Sequence, residues 1–172
     1  MPLLIVAPLE AAPADLRRIE AVRRRHDPAH GLIPAHVTLV FPFEGIGAEA
    51  VRPHVAAVAA RHAAVALRLS AVIAMRDGAA DRSQVLLVPD HGRAEIEQLH
   101  DALHDGLLAP VLRTDIPYIP HVTVAVRDHH DEAEDLAREI GQVGVPARIS
   151  RLQLAEFDGH ALSVLSEHAL QS

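Results

Sequence analysis

The chain has 172 residues and a net charge of −7 with histidine neutral, and its 16 basic residues are all arginine; that excludes a duplex binder working through a broad positive face but leaves room for a local, bidentate phosphate site. Hydrophobic residues make up 49% and aromatics only 2%, so one domain, or two small lobes sharing a core, must be packed with Ala, Val, Leu and Ile. The absence of cysteine excludes disulfides, thiolate metal sites and a cysteine nucleophile.

Taken in order, residues 3–7 read as a buried strand. A helix is predicted from about Pro13, a residue suited to a first helical turn, with Leu16, Ile19 and Val22 as its apolar stripe. Arg17, Arg18, Arg23, Arg24 and Arg25 spread over its other faces, most of them as solvated surface. Residues 26–31 form a loop into a strand that ends at Phe41-Pro42-Phe43. A second helix is predicted over about 53–62, and clean alternation over 65–75 predicts a long half-buried strand. A turn at 76–83 and an apolar strand at 85–88 complete a hairpin with it. Next come a helix over about 93–107 with Ile96, Leu99 and Leu103 inward, a proline-punctuated loop at 109–120 and a strand at 121–126. Asp131 with Glu134 marks a capped helix start, with Leu136 and Ile140 inward, and residues 145–157 and 161–165 read as two last strands around the Asp158-Gly159 turn.

The N-terminal apolar run is short, ends at Pro8 and follows no basic segment, unlike a secretory signal. No apolar stretch approaches the length of a membrane span. A soluble, cytoplasmic protein is expected.

Two copies of one tetrapeptide stand out: His36-Val37-Thr38-Leu39, shortly after Pro34, and His121-Val122-Thr123-Val124, directly after Pro120. The chain has three threonines, and two of them follow a histidine by two residues; with so few threonines, the repeat is informative. Side chains alternate along a strand, so His36 and Thr38 share one face, roughly 7 Å apart, as do His121 and Thr123, while the intervening apolar residues face the core. Around the motifs the element order repeats: strand, helix, motif strand, helix, strand, then the same with one strand added. The two histidines are 85 residues apart, about half the chain. Such a duplication relates two lobes by a pseudo-twofold axis and puts two imidazoles and two hydroxyls around the cleft between them. The expected unit is a single compact bilobal domain over residues 1–172. From the residues alone the chemistry is two-histidine acid–base catalysis of an unspecified reaction.

The two H-x-T-hydrophobic motifs, at this spacing and inside this element order, resemble those of the 2H phosphoesterase superfamily and, within it, the 2′-5′ RNA ligase-like cyclic phosphodiesterases. The resemblance implies a bilobal α+β fold, a pseudo-twofold duplication with two antiparallel sheets around a central cleft and helices outside. It also implies metal-independent, cofactor-free hydrolysis, or reversible ligation, of 2′,3′-cyclic or 2′-5′ phosphodiesters in nucleotides or RNA ends, with His36, Thr38, His121 and Thr123 as the catalytic residues. Opening a cyclic phosphate needs one proton removed from the nucleophile and another given to the leaving ribose oxygen, which a neutral and a protonated histidine supply. Threonine hydroxyls and an imidazolium donate to the charged non-bridging oxygens.

Four further residues are candidates for substrate binding. Arg127 shares the face of His121 if the strand stays regular, and Arg113 lies in the preceding loop; either is a candidate phosphate ligand, and either can instead be a surface arginine. Phe43 and Tyr118 flank the motifs, at positions open to a stacked base, whereas strict alternation turns Phe41 to the core. His100 and His104, four apart on a helix, lack an obvious third metal ligand and read as amphipathic helix surface. Two other readings stand beside the enzyme: a non-catalytic nucleotide- or RNA-end-binding module that kept the cleft, and a histidine-rich metal-binding protein. The acidic charge favours small cyclic nucleotides or short RNA over long RNA, and a monomer is expected.

Overall fold

The N-terminal run becomes β1 (Leu3–Pro8), whose Leu3 to Ala7 side chains are buried on both faces, as a central strand flanked on both sides requires. The computed structural model describes residues 1–77 and 82–172, and within them the chain forms two antiparallel sheets with four α-helices packed on them. The predicted turn at 76–83 falls partly on residues 78–81, outside the described residues.

After the two-residue β2 (Glu10–Ala11), α1 (Pro13–His26) opens with Pro13 at its start and Asp15 in its first turn and closes on Arg23, Arg24, Arg25 and His26, charges that complement the helix dipole. β3 (His36–Phe43) carries the first motif, and α2 (Ala48–Ala59) begins earlier than the sequence pattern suggests, with Pro53 inside it. β4 (Val65–Asp77) and β5 (Arg82–His91) pair as the expected hairpin. Gly92, with φ +79°, lets α3 (Arg93–His104) start hard against β4, where a Cβ would collide with the Ala66 carbonyl. α3 ends before the expected 107, and a short 3-10 helix, Gly106–Val111, follows. β6 (Val122–Arg127) begins one residue after His121 and carries the rest of the second motif, and α4 (His130–Ile140) comes next.

The single strand expected over 145–157 is two. β7 (Val145–Ile149) pairs with β4 and β2, whereas β8 (Arg151–Phe157) pairs with β1 and with β9 (Leu162–Ala169). Ser150 is therefore the crossing point between sheets. The resulting orders are β3-β1-β8-β9 and β2-β7-β4-β5-β6. Sequence halves and lobes do not coincide: β4 of the first half sits in the second sheet, and β8 of the second half sits in the first. The helices trade places as well, α1 and α4 packing on the second sheet and α2 and α3 on the first.

Topology fixes the position of the motifs. β3 is the edge of one sheet and β6 the edge of the other, and these two edges lie against each other. One apolar core runs through both lobes, and a satellite cluster of Leu4, Val6, Ile33 and Ala155 covers the face of the first sheet that bears Thr38. No helix among the described residues is long and apolar enough to cross a membrane.

Candidate active site

Both motif histidines are held in the same way. His36 donates from Nδ1 to the Pro34 carbonyl at 2.8 Å, and His121 donates from Nδ1 to the Ile119 carbonyl at 2.7 Å. A carbonyl only accepts, so each neutral ring carries its proton on Nδ1 and keeps a lone pair on Nε2. Neither Nε2 has a hydrogen-bond partner among the described residues. Thr38 and Thr123 are half-buried like the histidines, and two residues along a strand they share the histidines' faces.

Burial pushes both histidines below the ordinary value. At His36 the Pro34 bond opposes this, while Arg23 lowers the pKa further, Asp27 raises it and the charge of His121 lowers it. At His121 only the Ile119 bond opposes burial. The charge of His121 thus reaches His36, and both rings are mainly neutral at pH 7.

Each motif strand also breaks its alternation at the same place. Ile5 and Val6 of β1 face Val40 and Thr38, leaving Leu39 as an extra residue. Val85 and Leu86 of β5 face Ala125 and Thr123, leaving Val124 extra. These are β-bulges, each three residues after its histidine, and each buries two consecutive apolar residues, Leu39 with Val40 and Val124 with Ala125.

The bulges redirect three of the expected side chains. Phe41 leaves the core side and lies half-buried on the face of Thr38. A second irregularity, between the pairs Leu3–Phe43 and Ile5–Val40, returns Phe43 to the core beside Leu3. Phe43 is only 6% exposed, so its ring is not offered to a base. Arg127 pairs in register with Ser83, whose hydroxyl bonds His130 of α4, and its own Nη2 donates to His26 Nδ1 at 2.6 Å at the end of α1. It therefore stands on the helix-covered face, and Val126 takes the motif face beside Gln84. The assumption of a regular strand fails at Val124, and with it the ground for placing Arg127 on the face of His121.

The remaining two candidates are already engaged. Arg113 places Nε and Nη2 on the Asp115 carboxylate at 2.7 and 2.5 Å, and that guanidinium holds Asp115 at a pKa of about 2. Tyr118 stacks one ring face on His100, with centroids 3.7 Å apart and planes 5° from parallel, and donates its hydroxyl to the Thr38 carbonyl at 2.9 Å. His100 and His104 are buried rather than helix surface; their Nδ1 atoms bond the carbonyls of Leu39 and His100.

One group escaped the sequence reading. Arg23 is 1% exposed. It binds Asp27 through Nε at 2.9 Å, Glu20 through Nη1 at 2.8 Å and the Ile33 carbonyl through Nη2 at 2.8 Å. Glu20 in turn accepts from the Ala35 backbone N–H at 2.8 Å. The network fastens the loop that delivers His36. Its signal was present, since Ile19, Val22 and Arg23 follow the i, i+3, i+4 spacing of the buried stripe and Asp27 lies four further on.

The profile of the 2′-5′ RNA ligase superfamily matches residues 8–161. A candidate phosphoesterase of Bacillus licheniformis is 30% identical over 116 residues, covering 66% of this chain and 65% of its own, and one of Geobacillus kaustophilus is 28% identical over 102 residues, covering 59% and 57%. The matched region is thus less than two thirds of either relative. The fold matches that of the Thermus thermophilus protein TT0787 (TM-score 0.66, 15% identity, 100% and 99% coverage). It also matches Escherichia coli LigT in complex with 3′-AMP (0.57, 20%, 100% of both chains) and Usb1 of Kluyveromyces marxianus (0.61, 12%, 95% and 97%). With the matched profile covering nearly all elements and both motif strands, the chain belongs to the 2′-5′ RNA ligase superfamily.

Proposed function

We propose that the protein opens 2′,3′-cyclic phosphates, or cleaves 2′-5′ phosphodiesters, of nucleotides or short RNA ends, by acid–base catalysis from His36 and His121. The observation that carries this reading is the matched pair of Nδ1–carbonyl bonds, which leaves Nε2 as the working atom of each ring on two edge strands that lie together. One Nε2 takes the proton of the attacking water as its oxygen bonds phosphorus. The P–O bond to the ribose breaks, and the other Nε2, protonated, gives its proton to the leaving oxygen. The free pair is mainly neutral; the anionic phosphate itself favours the imidazolium that serves as acid. Thr38 and Thr123 hydroxyls donate to the non-bridging oxygens as charge builds there. With a ribose hydroxyl in place of the attacking water, the same two transfers join that hydroxyl to phosphorus as the ring P–O bond breaks, which is ligation.

Ligand chemistry in the relatives supports a nucleotide substrate, because LigT has been crystallised with 3′-AMP, ATP, NADP+ and phosphate. The net charge of −7 and the engagement of Arg113 by Asp115 and of Arg127 by His26 favour a substrate gripped at one phosphate over a long polyanion. The test is release of a phosphomonoester from 2′,3′-cyclic nucleotides with and without a strong chelator. Turnover that survives the chelator is expected. Binding without turnover, or turnover that the chelator abolishes, overturns the reading.

A further inference from the structure

The bulge in β3 exposes two consecutive carbonyls on an edge strand, and both are taken by side chains from elsewhere. Thr38 accepts from the Tyr118 hydroxyl at 2.9 Å, and Leu39 accepts from His100 Nδ1 at 2.7 Å. The two donors stack on one another at 3.7 Å, and the Phe41 ring meets Tyr118 edge-on at 6.4 Å. Tyr118 also stands three residues before His121, and the intervening Ile119 supplies the carbonyl that orients the His121 ring. One short segment therefore touches both motifs, the first through a hydroxyl and the second through a carbonyl.

We propose that Tyr118 and His100 form a brace that sets the backbone of the first motif relative to the second, and so fixes the separation at which His36 and His121 meet one phosphate. They are positioning residues for the reaction proposed above, and the inference rests on that reading. A planar stack bearing two donors holds two adjacent carbonyls more rigidly than solvent would. The hydroxyl is a dependable donor, because burial, with Glu97 and Asp101 nearby, pushes its pKa far above the ordinary tyrosine value. The second bulge has no such side-chain donors at the Thr123 or Val124 carbonyl among the described residues, so the brace acts on one strand and references it to the other. Misplacing reacting groups by about 1 Å can lower a rate on the order of a hundredfold, and the loss of one brace point should take part of that.

Tyr118→Phe keeps the stack and removes the hydroxyl. Its kcat on a 2′,3′-cyclic nucleotide should fall about tenfold with KM within about twofold of wild type. His100→Asn, which keeps a donor at the δ position, should recover most of the kcat lost in His100→Leu. Wild-type kcat and pH profile in Tyr118→Phe, or no difference between the two His100 variants, overturns the brace. A readout independent of turnover is the NMR titration of the His36 ring: in Tyr118→Phe a loosened strand admits water, and the midpoint should rise toward the ordinary value. If the wild-type protein turns over no cyclic nucleotide, the catalytic reading fails while this titration still decides the brace; an unchanged midpoint refutes it.

Discussion

The surroundings of His36 and His121 differ although the rings are held alike. Before His36, the loop from Asp27 to Ala35 is fastened by the buried Arg23, Asp27 and Glu20 network, and behind it the strand is braced by Tyr118 and His100. Before His121 runs a proline-punctuated loop, and its ring feels burial and the Ile119 carbonyl without a resolved charge. Ring orientation in both motifs therefore comes from a two-residue backbone device local to the sequence, whereas the electrostatic setting of each ring comes from whichever helix happens to pack there. The two halves share the former and not the latter. Substitutions at the rings should act symmetrically, and substitutions in the surroundings should not.

The largest effect is expected at the rings. His36→Ala and His121→Ala should each lower kcat by about 10²–10⁴-fold, measured in single turnover, and the double variant should be little slower than the worse single one, because the residues act as a unit. A large loss at one ring with near-normal kcat at the other would break the symmetry. Next comes Arg23→Met, which leaves the buried Asp27 carboxylate without its cation and should destabilise the fold by about 3–5 kcal/mol in urea unfolding. Thr38→Ala and Thr123→Ala should each cost about 1–3 kcal/mol of transition-state stabilisation, read from kcat/KM at unchanged unfolding midpoint.

A smaller effect is expected from pH. His36, His104 and His121 all have pKa values lowered chiefly by burial. The unfolded chain then takes up protons near pH 6.5 while the folded rings still resist, so stability should fall as pH drops below that value and be level above it. A flat unfolding midpoint between pH 7.5 and 5.5 would contradict the shared burial. The smallest effect is expected at Arg127→Ala, which should leave kcat and KM within about twofold, since the side chain lies on the α1 face against His26. A large rise in KM would return it to the phosphate.

Much of this was legible before the structure. The period-2 pattern around each histidine set which side chains share its face, and the repeated element order pointed to two lobes, which the family resemblance turned into two antiparallel sheets. Three things were hidden, each for a physical reason. The bulges depend on pairing with β1 and β5, partners far away in the sequence; their local trace is the apolar doublet after each motif, Leu39-Val40 and Val124-Ala125, where alternation stalls. The exchange at Ser150 is invisible because β7 and β8 both read as half-buried strand. Arg23 looked like one of five surface arginines, since composition cannot say which of them meets its carboxylates away from water.

The claim that both histidines act on one phosphate is tested most directly by ring nitrogen NMR during titration with 3′-AMP, a nucleoside monophosphate of the kind the reaction would release. The Nε2 signals of His36 and His121 should move along one binding curve, with both pKa values rising as the anion lands between them. Movement of one ring alone, or two rings following different curves, would contradict a shared phosphate.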